Sequence, residues 1–199
     1  MKPLQLFLIR HGETAWSLTG QHTGRTDIAL TPHGEDMARR LAPCLAGIHF
    51  DRVLTSPRRR ASTTCELAGF AATDIEPDLA EWDYGDYEGQ RSAQTRQAHP
   101  DWDVWRDGCP GGERPADVAG RADRLIARLS TRGGNIALFL HGQFGRVLAA
   151  RWIGLPAAAG RHLLLKPASI NVLGCEPDHA DGRVIALWNA DPSSPWGGV

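Results

Sequence analysis

The apolar positions of the chain fall into two patterns. Leu4-Gln5-Leu6-Phe7-Leu8-Ile9 and Ile136-Ala137-Leu138-Phe139-Leu140 are short and nearly continuous. Such runs predict strands covered on both faces. Asp51 to Thr55, a short stretch around Ile75, and residues 168–174 and 183–188 predict further strands. Between them the apolar residues recur at helical spacing. Met37, Leu41, Leu45 and Ile48 follow Thr31-Pro32, a capping residue with Pro at the first helical position. Ser56-Pro57 repeats that signal and predicts a helix to about Leu67. Val118, Ala122, Leu125 and Leu129 line one face after Pro115, and Phe144, Val147, Leu148 and Trp152 line another.

Residues 82–114 break the pattern. They hold Trp82, Trp102 and Trp105 among many Gly and Asp residues, and predict an irregular insertion with one helix near 91–98. The Pro-, Ser- and Gly-rich tail from Asp191 is expected to be mobile. Strands alternating with helices predict an α/β fold, a three-layer sandwich with a largely parallel central sheet. Residues 1–199 are read as one domain, the insertion covering its site. In such sheets ligands bind beyond the carboxyl ends of the strands.

Composition narrows the function. The 199 residues carry 22 basic and 23 acidic side chains, a formal charge of -1, so nothing draws the chain as a whole to nucleic acid. No apolar run approaches the length of a membrane helix, and the start lacks the apolar stretch of a signal peptide. Cys44, Cys65, Cys109 and Cys175 are widely spaced, with no C-x-x-C. Cys44 and Cys65 fall in helical patterns and are expected to be buried thiols, which points to the cytosol. The eight histidines show no zinc-ligand spacing, and neither a metal nor another cofactor is expected.

Three strand ends carry chemistry. Arg10-His11-Gly12 closes the first strand, His141-Gly142 closes the strong strand at 136–140, and Ser56-Pro57-Arg58-Arg59-Arg60 joins a strand to a helix. Imidazoles, guanidiniums and helix N-termini gathered on one sheet edge suit a phosphoryl group. Taken singly, a histidine after a strand is usually structural and an arginine run at a helix start is usually solvated. Arg58, Arg59 and Arg60 must point in different directions, so at most two can serve one pocket.

Leu8-Ile9-Arg10-His11-Gly12-Glu13-Thr14 resembles the R-H-G signature of the histidine phosphatase superfamily, the phosphoglycerate mutase-like fold. Thr23-Gly24-Arg25-Thr26-Asp27 is similar to that family's second pocket loop, and Arg60-Ala61 with Thr64 to its R-A-x-x-T segment. Leu79-Ala80-Glu81 with Gly85 and Glu88-Gly89 resembles a fourth segment, and His141-Gly142 the second-histidine motif. The resemblance implies that His11 is the nucleophile, that Arg10 and Arg60 hold the phosphate oxygens with His141 as a further donor, and that Glu81 is the proton donor. It departs from the family at Arg58, where Leu is usual, and at Ser17, where Asn is common. Ser17 would replace an amide contact to phosphate. Gly12, Thr23, Gly24 and Gln143 would offer backbone N–H groups, with ordinary turn glycines as the alternative for Gly12 and Gly24.

The chemistry asks the same of these residues. His11 must be neutral to attack. A cation about 4 Å away at an effective dielectric of about 20 opposes its protonation by roughly 4 kcal/mol before screening. Flanking arginines are therefore expected to keep it neutral. Glu81 has to hold a proton for the leaving group, which burial beside Trp82 would favour.

The interval of 60 positions from Glu81 to His141 favours hydrolysis over a mutase reaction, because mutases of this family carry longer insertions. A mutase, a phosphatase for nucleotide-derived or protein-phosphohistidine substrates, and an idle phosphate-recognition module are the alternatives. The insertion looks most like the sugar-bisphosphate phosphatase branch. Trp102 and Trp105 would close over a sugar or else form a satellite hydrophobic cluster. Arg91, Arg96 and Arg106 would meet a second phosphate or else be surface charge. The expected partner is a small phosphorylated substrate, with no nucleic acid or membrane. Exposed insertion tryptophans would mark a homo-oligomer interface.

Overall fold

Strands β1 (Leu4–Arg10), β2 (Arg52–Thr55), β3 (Asp74–Ile75), β4 (Gly134–Leu140), β5 (Ile170–Cys175) and β6 (Arg183–Ala190) make one sheet in the order β3-β2-β4-β1-β5-β6. The computed structural model describes residues 3–71, 74–176 and 182–193. Four neighbours, β3, β2, β4 and β1, run parallel, while β5 runs antiparallel to both its neighbours, β1 and β6. Alternation along β1 and β4 splits the core in two. Leu6, Leu8, Ile136, Leu138 and Leu140 enter one hydrophobic cluster, and Phe7, Ile9, Ala137 and Phe139 enter the other.

Helices cover both faces, giving the three-layer α/β sandwich. On one side lie α2 (Pro32–Leu45) and α3 (Arg59–Leu67), and on the other α6 (Pro115–Ser130) and α7 (Gly142–Trp152). The expected stripes of α6 and α7 are buried throughout. The Thr31 hydroxyl caps α2 by accepting Gly34 N–H at 2.9 Å, with Pro32 at the first position. Helix α2 ends at Leu45, so Ile48 packs on the core from outside it.

Several expectations need correction. Helix α3 opens at Arg59, not at Ser56-Pro57. Arg58 is its N-cap and supplies no side-chain bond; Asp27, from a distant loop, accepts Arg59 N–H at 2.8 Å instead. A short helix α1 (Ala15–Thr19) follows β1, and the insertion holds two helices, α4 (Ser92–Ala98) and α5 (Val104–Asp107), rather than one. Trp82, Trp102 and Trp105 are buried in the larger cluster, so the insertion offers no exposed tryptophan patch for self-association. Cys65 is buried but Cys44 is only half-buried. The tail beyond Ser193, expected to be mobile, lies outside the described residues.

The segment after β1 packs backbone to backbone against the first turn of α2, while the Glu13 carboxylate accepts from the Thr31 hydroxyl at 2.8 Å and meets His33 Nδ1 at 3.3 Å. A Cβ on Gly34 would lie 2.1 Å from Glu13 O, and one on Gly12 would lie 2.3 Å from Gly34 O. Neither glycine has a positive φ, so closeness of approach and not turn geometry requires them. Gly34→Ala should lower the unfolding free energy by about 1–3 kcal/mol, read as a lower urea midpoint at unchanged m-value. A wild-type midpoint would contradict this packing.

Candidate active site

Strand register builds the centre of the site. Arg10 pairs with Leu140 across the parallel β1–β4 ladder, so the next residues, His11 and His141, emerge side by side. The ladder continues with His11 N–H donating to Leu140 O at 3.0 Å, and Ser56 N–H donating to Phe139 O at 3.0 Å beyond β2. The two imidazole centroids lie 5.2 Å apart. The carboxyl ends of three strands thus converge on one buried cluster, as the sequence pattern predicts.

Hydrogen bonds assign the imidazole tautomers. His11 Nδ1 lies 2.7 Å from Gly12 O. A carbonyl only accepts, so Nδ1 carries the proton and Nε2 keeps its lone pair. Thr64 fixes the loop from behind, accepting Gly12 N–H at 3.0 Å and donating to Arg60 O at 2.7 Å. At His141, Arg60 Nε–H donates to Nδ1 at 3.1 Å, so the ring proton lies on Nε2, 2.7 Å from Ser56 Oγ. Both ring nitrogens of His141 therefore have protein partners.

Both imidazoles are held well below the ordinary histidine pKa. For His11 the largest cause is burial, followed by the charges of Arg10 and Arg60. The arginines act as expected but rank second to desolvation. For His141 burial again comes first, then Arg60 and His11.

Arg60 is fully buried and donates to Thr26 O at 2.9 Å, Thr23 O at 2.8 Å and Gly24 O at 3.2 Å besides His141. It stands behind the cavity and not on its wall. Arg10 does line the cavity. One of its terminal nitrogens donates to Leu165 O, while its buried Nε has no partner among the described residues. The Glu81 carboxylate sits against the first turn of α7. Its Oε1 accepts N–H from Trp82 and Phe144, each at 2.8 Å, and its Oε2 accepts Gln143 N–H at 2.9 Å. The carboxylate thus receives three amide donors, where the sequence suggested mainly an apolar neighbour. Oε2, with one donor, retains room for a proton.

The cavity encloses about 300 Å³ and is lined by His11, Arg10, Glu81, Ser17, Thr23 and Gln143, among others. Three of the amides expected to face phosphate are already engaged: Gly12 with Thr64, Gly24 with Glu88 Oε1 and Oε2 at 2.9 and 3.0 Å, and Gln143 with Glu81. Gly24 does not line the cavity; a Cβ there would lie 2.5 Å from Trp82 O. The Ser17 hydroxyl donates to Thr14 O at 3.0 Å and accepts Thr14 N–H at 2.9 Å, closing a capping box on α1. Gly142 N–H, at the start of α7, has no protein acceptor among the described residues.

Several wall residues were missed, Arg146 and Tyr84 among them. Arg146 lies one turn into α7, donates to Gln143 Oε1 at 2.6 Å and to Gly160 O at 2.9 Å, and rests 4.8 Å over the Trp105 ring. Helical spacing from His141-Gly142 was the available signal. Tyr84 stacks on His22 at 4.4 Å, and burial, then Glu81, push its hydroxyl pKa well up, keeping it a donor. Arg91, Arg96 and Arg106 do not line this cavity. Arg96 Nε–H donates to Trp102 O and Arg106 pairs with Asp107, as the surface reading has it. Trp102 and Trp105 belong to the hydrophobic cluster, not to a cover over the cavity.

Residues 6–191 match the model of the histidine phosphatase superfamily, branch 1. An acid phosphatase of Mycobacterium tuberculosis is 44% identical over 189 residues, 92% of each chain. The sedoheptulose 1,7-bisphosphatase of Saccharomyces cerevisiae is 35% identical over 181 residues, 74% of this chain and 67% of that protein. A solved structure of a Mycobacterium tuberculosis open reading frame product superposes with a TM-score of 0.89 at 39% identity, covering 95% of this chain and 98% of that one.

Burial of neutral imidazoles also sets a pH dependence of stability. His22 is lowered to about 4, chiefly by burial and secondarily by Arg96, against an opposing pull from Glu88. Unfolded histidines titrate near about 6.5. Below that pH the unfolded chain takes up protons that folded His11, His22 and His141 refuse. Stability is therefore complete above the unfolded value and is lost as pH falls; at pH 5 His22 alone costs about 2 kcal/mol. In His22→Phe, which keeps a ring against Tyr84, the fall in unfolding free energy between pH 7 and 5 should be shallower by up to about one proton. An unchanged slope would contradict the assignment.

Proposed function

The chain belongs to the histidine phosphatase superfamily, branch 1, and on that premise we propose that it hydrolyses a small sugar phosphate or bisphosphate through a phosphohistidine at His11. The observation that carries this reading is the tautomer of His11. Its Nε2 lone pair is free beside two buried guanidiniums, with the proton held on Nδ1 by Gly12 O.

In the first step Nε2 of His11 attacks phosphorus and the bond to the leaving oxygen breaks. The Glu81 carboxyl gives its proton to that oxygen, releasing the alcohol. In the second step water attacks the phosphorus, Glu81 takes its proton, and the P–N bond breaks to restore neutral His11 and free phosphate. Covalent capture divides one displacement into two easier ones. Arg10, which lines the cavity and whose Nε has no partner among the described residues, and the Gly142 N–H, likewise without a protein acceptor among them, are suited to the phosphoryl oxygens. Arg60 contributes charge from behind, and its bond to His141 fixes the second imidazole. These fixed donors stabilise the charge that develops in transfer.

Other residues of the cavity wall support a polar leaving group. Arg146, Gln143 and the Tyr84 hydroxyl can meet hydroxyls or a second anionic group, while Ser17 and Thr23 line the same cavity. The likeness to a sedoheptulose bisphosphatase supports a phosphorylated sugar, as does the polar wall. The widely spaced cysteines fit a reducing compartment, and we place the enzyme in the cytosol.

Phosphate release should be measured over a panel of sugar mono- and bisphosphates, with and without chelator. Release from at least one sugar phosphate, unaffected by chelator, is expected. Isomerised product without free phosphate would favour a mutase instead, and a requirement for magnesium would contradict the mechanism. In the same panel Arg146→Ala should raise KM about tenfold or more for the preferred substrate with a smaller effect on kcat. Unchanged KM would remove Arg146 from recognition.

A further inference from the structure

Glu88 lies outside the cavity, yet its carboxylate is built into the support of the site. Its Oε1 accepts N–H from Gly24 at 2.9 Å and from Thr26 at 3.0 Å, and Oε2 accepts Gly24 N–H at 3.0 Å. The carbonyls of the same loop face the other way. Thr23 O, Gly24 O and Thr26 O receive the Arg60 guanidinium. The loop is therefore strung between a buried cation and a half-buried anion.

One peptide group joins them directly. The Thr23–Gly24 amide gives its N–H to Glu88 and its C=O to Arg60. An amide engaged by an anion on one side and a cation on the other is polarised by both, so each bond strengthens the other. Gly24 is required by this closeness, because a Cβ would lie 3.0 Å from Glu88 Oε2 as well as 2.5 Å from Trp82 O. From Arg60 the connection continues through Nε–H to His141 Nδ1 and from His141 Nε2–H to Ser56 Oγ.

We propose that Glu88 is a positioning residue of the active site, holding Arg60 through the Thr23–Gly24 peptide and thereby fixing the ring orientation and tautomer of His141. The carboxylate does this in a way its amide cannot. In Glu88→Gln only one side-chain atom accepts, and the NH2 group opposes a backbone N–H. The loop then loses an acceptor and a charge, and Arg60 loses the geometry that directs Nε–H at His141. The effect on catalysis rests on the phosphohistidine reading above; the effect on His141 does not.

The test uses the full-length chain labelled with nitrogen-15, comparing wild type, Glu88→Gln and Glu88→Asp. In wild type the His141 signals should show an unprotonated Nδ1 and a protonated Nε2. In Glu88→Gln they should move toward tautomer averaging, with kcat lowered about 10- to 100-fold and KM changed less. Glu88→Asp, which keeps the charge but retracts it by one methylene, should recover part of both. Wild-type His141 signals in a folded Glu88→Gln, with only the melting temperature lowered, would overturn the proposal. If Glu88→Gln does not fold, Glu88→Asp decides by the same signals, partial averaging supporting the proposal and wild-type signals overturning it. If the wild-type chain released no phosphate from any sugar phosphate, the functional reading would fail while the His141 signals still judged this one.

Discussion

A single hydrogen bond, from His11 Nδ1–H to Gly12 O at 2.7 Å, decides what the site can do. It leaves Nε2 as the atom with a lone pair to give. Every other feature of the pocket either preserves that state or makes use of it. Burial denies the ring a proton, and Arg10 and Arg60 oppose protonation further. Thr64 and the tight approach of Gly34 keep the Gly12 segment where its carbonyl meets the ring. On the proposed reading His11 is prepared as nucleophile by exclusion of water and of protons, with no adjacent general base needed to strip it.

The same economy of charge runs through the surroundings. Two guanidiniums buried beside neutral imidazoles would be costly if unpaired. Arg60 is compensated by three carbonyls and His141, whose loop is in turn held by Glu88. Glu81 is held by three amides, two of them from the first turn of α7, so its carboxylate largely occupies the helix terminus that would otherwise take an anion directly. Among the described residues neither Arg10 Nε nor Gly142 N–H has a protein acceptor, and on the proposed reading a phosphoryl group completes their bonding.

What the chain disclosed in advance was what depends on local pattern. The continuous runs ending at Arg10 and Leu140 gave strands whose ends carry the two histidines, and register then made them neighbours. Thr31-Pro32 capped a helix as its local chemistry demands. Ser56-Pro57 did not, because Asp27 from another loop satisfies the amide of Arg59 and His141 claims the Ser56 hydroxyl. The amides of Gly24 and Gln143 were assigned to phosphate although Glu88 and Glu81 take them, at separations of 64 and 62 residues along the chain. Arg146 escaped notice because its place on the wall follows from how α7 packs beside Trp105. Contacts between distant segments leave no periodicity to read, and the finer roles of the site are made of such contacts.

The central claim concerns one proton, and it is tested most directly by following the ring nitrogens of His11 by nitrogen-15 NMR from pH 8 to pH 5. The account predicts a protonated Nδ1 and an unprotonated Nε2 across that range, with no titration near about 6.5. A protonated Nε2, or a ring that becomes an imidazolium within those limits, would contradict it.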